Sequence, residues 1–502
     1  MNIHAIVSTF SIEEQHRFVT YLEKKNKRKD VKNIQLFKLL VNDELTSKEI
    51  CIKLYKKDNK VALYALRKRL FQSLIDFIAN VNLEEVNSVD MQIIKYIIAS
   101  RNFLLHNKPK VAYKILDKAE TLASEHHLFS ILNEIYHTKI QYAYTNPAVD
   151  INALIAAFKD NQKNHFHEDQ LNIVYAKIRQ TLNDITYKGE IIDFETILNR
   201  TLKEHNISLT ESMSFKSLYQ LMTIISISAF VTNDYMKIEP FLINMYTSIE
   251  SYKPKDTQHF YHIEVLYIIA NTLFRNKKFT ESMFYLELML KQMSLKQKKY
   301  YNTFKLKYNL LLGLNLNYSL QQDKAIQLLE SFKIPKHADI ESLLDIYLSL
   351  VMIYIQKGEH KKAHHIFSKF HHSDKWYITK AGTEWVLKKN LIEIILHIEL
   401  QHIDLVESRL MSFKRRYYNH LKQINQERVI TYLSLIESYY KQPEIVTSKA
   451  FKIKVENSFE WIEVQREDIF VMSFYAWLKS KMENVPLYLT TINLIKQAQA
   501  VN

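Results

Sequence analysis

The densest run of chemistry-bearing side chains is His360-x3-His364-His365, followed by His371-His372. Two imidazoles at i and i+4 share one face of a helix, the spacing at which both can reach a single zinc ion. No cysteine accompanies them and a third ligand would have to come from elsewhere. Ala363 and Phe367 already give this stretch a packing role, so the expectation is exposed histidines between helices and no metal site. Paired carboxylates stand at Glu13-Glu14, Asp43-Glu44 and Glu84-Glu85. General acid–base work needs carboxylates that converge in a cleft, whereas neighbouring acids at helix starts stabilise the positive end of the helix dipole. No catalytic residue is assigned to them.

Other chemistry is excluded by composition. The glycines are only Gly189, Gly313, Gly358 and Gly382, so neither a phosphate-cradling loop nor a nucleophile elbow can be written, and no cofactor is expected. Cys51 is the single cysteine. It allows no intramolecular disulfide and no cysteine-based zinc site, and it suits a reducing cytoplasm; its expected role is that of a small buried residue.

Charge is uneven. The formal net charge is +14, and residues 1–80 hold 12 Lys and 4 Arg against 4 Asp and 5 Glu, a net of +7. Within them Thr46-Ser47-Lys48-Glu49-Ile50 opens a short helix and Arg67-Lys68-Arg69 lies on a later one, spacings open to a winged-helix or helix-turn-helix relative. A solvated or protein-docking helical cap is the first expectation for this block, and contact with DNA or RNA through residues 1–80 is the alternative.

These side chains must be positioned by helices. With 4 Gly and 7 Pro among 502 residues, against roughly 35 Gly at average usage, the chain lacks the turn residues that sheets need. The prolines, Pro240 among them, are expected at helix boundaries. Ser11 with Glu14 reads as a capping box for a helix to about Lys25; further helices are expected over Asn33 to Val41, from Thr46 or Ser47, and over about Lys60 to Ala79. The longest uncharged stretch, Ser217 to Asn233, carries Tyr219, Gln220, Thr223, Ser226 and Ser228. That polarity predicts a buried helix and no membrane span. The first residues lack the cationic start and long apolar run of a secretory signal.

From residue 86 a repeat is legible. Val351-x2-Tyr354-x3-Gly358-x4-Ala363-x3-Phe367-x2-Phe370 is matched by Gly313-x2-Leu316-x8-Ala325-x3-Leu329-x2-Phe332. Ala270-x2-Leu273-x5-Phe279-x2-Ser282-x3-Leu286-x2-Met289 and Ser100-x2-Phe103-x8-Ala112-x3-Leu116-x2-Ala119 fit the same template. The pattern resembles the tetratricopeptide repeat, in which a small residue lets two antiparallel helices approach closely. The small-residue anchors are Ala112, Ser282, Ala325, Ala363 and Val406, with weaker ones near Leu154, Thr196 and Ile238; intervals after Ser282 are 43, 38 and 43 residues. The period near 42 exceeds the 34 of the family, and the family's tryptophan and terminal proline positions are mostly unfilled.

The resemblance implies an all-α fold, a superhelical stack of antiparallel helix hairpins (a tetratricopeptide-like α-solenoid) preceded by a small basic helical domain. The divisions read are 1–85, a basic helical domain; 86–420, an array of about eight pairs; and 421–502, helices continuing and capping the array, with Glu467 to Met482 as its terminal cap. The expected function is that of a non-catalytic, cytoplasmic scaffold whose groove binds a protein or peptide partner. A nucleic-acid-associated regulator is the first alternative. A helical-hairpin enzyme is the second, and it requires a polar recess with convergent titratable groups.

Overall fold

One turn is used again and again. In the computed structural model, consecutive helices are joined at Asn107, Lys277, Leu320, Gly358 and Gln401 by a residue of positive φ, between 53° and 78°. The next residue's N–H then reaches back five positions to a carbonyl of the first helix: Lys108 to Phe103, Lys278 to Leu273, Gln321 to Leu316, Glu359 to Tyr354 and His402 to His397, at 2.9–3.0 Å. This left-handed stop satisfies carbonyls that a helix end would otherwise leave unpaired. Five residues after each stop lies the sequence anchor. Ala112, Ser282, Ala325, Ala363 and Val406 are all fully buried.

The structure describes residues 3–7, 10, 12–25, 32–42, 45–85, 89–188, 194–206, 215–232, 234–250, 258–295, 298, 300–331, 339–424, 426–458 and 466–500. Among them there is no strand. The chain divides into two compact units, residues 1–158 and 159–502.

The first unit begins with α1 (Ile3–Val7), α2 (Ile12–Lys25), α3 (Lys32–Asn42), α4 (Ser47–Tyr55) and α5 (Lys60–Glu85). Their shared core joins Phe18, Leu22, Leu36, Phe37, Ile50, Cys51, Leu70 and Leu74. Cys51 is a free, buried thiol. α5 runs six residues beyond the expected Ala79. Next come α6 (Val89–Leu105), α7 (Pro109–Glu125) and α8 (Phe129–Gln141), held by Ile93, Ile97, Leu116, Ala119 and Ile135. Pro109 stands at the first position of α7, where its missing N–H costs nothing.

The segment that follows breaks the expected repeat. α9 (Ile151–Asn183) is one 33-residue helix, ending in a π-helical turn at Asp184–Lys188. α10 (Phe194–Glu204), α11 (Phe215–Thr232) and α12 (Tyr235–Glu250) follow. Of the weaker anchors, Thr196 is exposed, while Leu154 and Ile238 are half-buried; none occupies a sealed contact. Pro240 also departs from expectation, since it lies inside α12. It sits in the second turn on an exposed face, where the lost hydrogen bond is near the helix start. The uncharged stretch forms α11 as expected, with Leu218, Met222 and Ile224 buried. The readings for Ser11, Asp43-Glu44, Gly189 and Phe332 fall outside the described residues, as do the side chains of Glu84-Glu85.

The second unit then pairs α13 (His259–Arg275) with α14 (Phe279–Ser294), α15 (Tyr301–Tyr318) with α16 (Gln322–Glu330) and α17 (Ile340–Lys357) with α18 (His360–Phe367). The short α19 (Asp374–Ala381) leads to the pair α20 (Thr383–Glu399) and α21 (Ile403–Gln423). α22 (Glu427–Lys441), α23 (Lys449–Ser458), α24 (Ile469–Glu483) and α25 (Leu487–Ala500) complete it. The chain is thus all-helical with helices packed in adjacent pairs, an arrangement compatible with a helical-repeat solenoid. Contact within a pair is close. A Cβ added to Gly313 would stand 2.7 Å from Leu329 Cγ, so α15 and α16 meet with no room for a side chain there. No described helix is long and apolar enough to cross a membrane.

Candidate functional site

Counting from each turn exposes two rows of side chains. Two residues before the left-handed residue, successive first helices carry Arg275, Tyr318, Gln356 and Glu399. Every one of the four touches α24. The Arg275 guanidinium pairs with Asp468. The Tyr318 hydroxyl lies beside Ser473, whose Oγ accepts from Gln356 Nε2 at 3.2 Å. Glu399 Oε1 accepts from Trp477 Nε1 at 2.6 Å and pairs with Lys481 at 2.6 Å. α25 returns along the same ends, with the Tyr488 hydroxyl donating to the Asn317 carbonyl at 2.6 Å and Gln499 Nε2 to the Lys277 carbonyl at 2.7 Å.

The C-terminal helices were expected to cap the end of the array. α24 does lie against α22, where the Tyr432 hydroxyl donates to the Phe474 carbonyl at 3.0 Å. Side-chain contacts from it also run back across the ends of α20, α17, α15 and α13. Asp468 explains how the helix is fixed at its far end: its Oδ1 caps the Phe470 and Val471 N–H groups at 3.0 and 3.3 Å, while Oδ2 faces Arg275. Burial pushes this carboxyl up, but Arg275, Lys388 and the two capped N–H groups together hold it below its usual range.

A second row lies eleven residues earlier on the same helices, at Glu264, Lys307, Asp345 and Lys388. Eleven residues is close to three turns, so both rows share one helix face roughly 16 Å apart along it. The signs alternate. Lys307 pairs with Glu264 at 3.5 Å and stands over the Tyr267 ring; Asp345 accepts from Trp385 Nε1 at 3.0 Å; Lys388 pairs with Glu384 at 2.6 Å and lies over Phe470. Burial, the Glu341 charge and the Trp385 hydrogen bond act on Asp345 in that order, and the net result pushes it up to about 7. Burial likewise pushes the Tyr267 hydroxyl up. Yet Arg275 and Lys388 keep 30% and 27% of their side-chain surface open. Both cations are therefore neither sealed in the core nor freely solvated.

The sequence-predicted candidates fare differently. His360 lies 3.7 Å from Glu399, and burial lowers its pKa. His364 faces His397 and His402, whose Nδ1 atoms are 3.2 Å apart, while His372 stacks on Trp376. Among the described residues, no three His, Cys, Asp or Glu side chains are arranged to hold a metal ion. Glu13 and Glu14 sit in the first turn of α2. Thr46 and Glu49 form a reciprocal capping box on α4, and Arg67 Nη1 donates to Ser47 Oγ at 3.2 Å.

Neither row was found by reading motifs, because members are 43, 38 and 43 residues apart. The signal was present. Seven and eighteen residues before each of the anchors Ser282, Ala325, Ala363 and Val406 stand the two rows, with a charge at all four positions of the second. The chain matches no protein-family model, and no curated protein or solved structure matches it.

Proposed function

We propose that this chain is a non-catalytic scaffold, a tetratricopeptide-like solenoid that binds a helical or extended segment of a partner protein along the face that carries Glu264, Lys307, Asp345 and Lys388. One observation carries the reading: four successive helix pairs each offer an equivalent side chain to one helix, α24. An array that spaces one contact per pair is built to grip a segment along its length. The row beside α24 supplies Glu264, Lys307 and Lys388 as charges and Asp345 as a carboxyl pushed up to about 7, a pattern that fixes the register of a polar segment more than it adds affinity. Lys307 is held by Glu264 and Lys388 by Glu384, and cations so held suit gripping a segment more than turnover. The buried thiol of Cys51 suits a reducing compartment, and we place the protein in the cytoplasm.

A photo-crosslinking residue installed at Tyr267 of the full chain tests this in native cell extract, with the exposed Phe166 as control site. One partner that crosslinks reproducibly from Tyr267 and not from Phe166 is the expected result. Crosslinks confined to the chain itself at both sites would end the proposal.

A further inference from the structure

Many cations of the second unit pair with carboxylates, as Lys388 does with Glu384 and Lys481 with Glu399, whereas one stretch of the first unit gathers cations that do not. Lys48, Lys56, Lys57, Lys60, Lys68 and Arg69 are exposed, and none forms an ion pair among the described residues. Elsewhere in the same unit a lysine does find a carboxylate, since Lys25 takes Asp76 at 2.9 Å. Over residues 45–69 there are six Lys and two Arg against Glu49 and Asp58, a net of +6.

The local backbone holds that charge on a defined frame. α4 ends at Lys56 in the left-handed conformation, φ 57°, and four residues later α5 begins. The Tyr55 hydroxyl donates to the Ala62 carbonyl at 3.1 Å, the Asn59 side chain accepts from the Ala62 N–H at 3.0 Å, and Arg67 reaches Ser47. The turn is therefore fastened from both sides. α5 buries Leu63, Leu66, Leu70 and Leu74. Its opposite face presents Val61 and Tyr64, 82% and 73% exposed, followed by Lys68. Large apolar and aromatic groups on the first turns of a helix, ringed by unpaired lysines, are poorly placed for solvent alone.

We infer that α4, the turn at Lys56–Asn59 and the start of α5 form a helix-turn-helix surface that binds duplex DNA. The first turns of α5 enter the major groove with Val61, Tyr64 and Lys68 toward base edges, and Lys57 and Lys60 lie on the flanking phosphates. The B-form major groove, about 12 Å wide, admits a helix. The deep, narrow groove of A-form RNA does not.

The test is fluorescence anisotropy of the full chain with a labelled 30-base-pair DNA duplex, titrated from 50 to 300 mM salt. Binding that weakens steeply with salt is expected, and the triple variant Lys57→Ala, Lys60→Ala, Lys68→Ala lowers the log–log salt slope by about two, one for each phosphate contact of Lys57 and Lys60. The same change on α7, Lys110→Ala, Lys114→Ala, Lys118→Ala, leaves the slope unaltered. Tyr64→Ala removes no charge, and it weakens binding by about tenfold with the slope kept. No anisotropy change at 50 mM salt overturns the inference. So does an equal slope change in the α7 variant, or tighter binding of an RNA duplex or of phosphatidylserine vesicles than of DNA.

Discussion

The α6–α7 pair of the first unit and the four pairs of the second share a turn but not a fate. Each has a left-handed residue and, five residues on, a fully buried anchor. At the position two residues before the turn the second unit has Arg275, Tyr318, Gln356 and Glu399, all in contact with α24. The first unit has Leu105 there, 74% exposed. Pair geometry and coverage of the pair are thus written in different places. The turn and the anchor make the pair; a separate stretch of chain, residues 468–499, decides whether its face is taken.

The comparison breaks most violently at Gly313. Gly313→Val forces a branched side chain into Leu329, and we expect a loss of about 3 kcal/mol, read as a lower urea midpoint. Ala112→Gly in the first unit removes a methyl group without a clash and costs about 1 kcal/mol. Next in size is Asp468→Ala, which deletes the helix cap and the partner of Arg275 together. We expect about 2 kcal/mol and faster amide exchange through α24, with exchange in α6 and α7 unchanged.

Asp345 gives a smaller effect with a sign. Its carboxyl titrates near 7 in the folded chain against about 3.9 when unfolded, so the native state holds a proton that the unfolded state has released. Stability from this group is present below about pH 4 and is lost as pH rises through about 7. Asp345→Asn keeps an oxygen for Trp385 and removes the penalty. It raises the thermal midpoint at pH 8 by the equivalent of about 1 kcal/mol, allowing for partial solvent contact, and leaves it unmoved at pH 4. Leu105→Arg is the smallest change, within about 0.5 kcal/mol by urea titration. A larger loss would mean that the uncovered position is structural.

Much of this was legible where sequence and packing share a period. Ala112, Ser282, Ala325, Ala363 and Val406 were readable because small size at that spacing has one use, close approach of two helices. The turns were less so: among the five, only Gly358 and Asn107 are residues that favour positive φ, while Lys277, Leu320 and Gln401 adopt it under tertiary constraint. Between residues 151 and 250 an assumed period of 42 carried the reading past α9, whose length no stop residue announces. The return of α24 to α13 was invisible, since no local pattern in Asp468 names Arg275. The basic block was readable as charge, but only the structure separates its unpaired lysines from Lys25.

That return has a consequence for how the chain is made. Arg275 and its partner Asp468 are 193 residues apart, and Lys277 and Gln499 are 222 apart. Local contacts let the pairs α13–α14 through α20–α21 form as they leave the ribosome, at about 5–20 residues per second. The ends of α13, α15 and α17 then wait roughly ten seconds or more for α24 to emerge. During that interval Tyr318 and Gln356 face water and any passing helix, so the nascent array is the form of this protein most open to a competitor for its own closing strap.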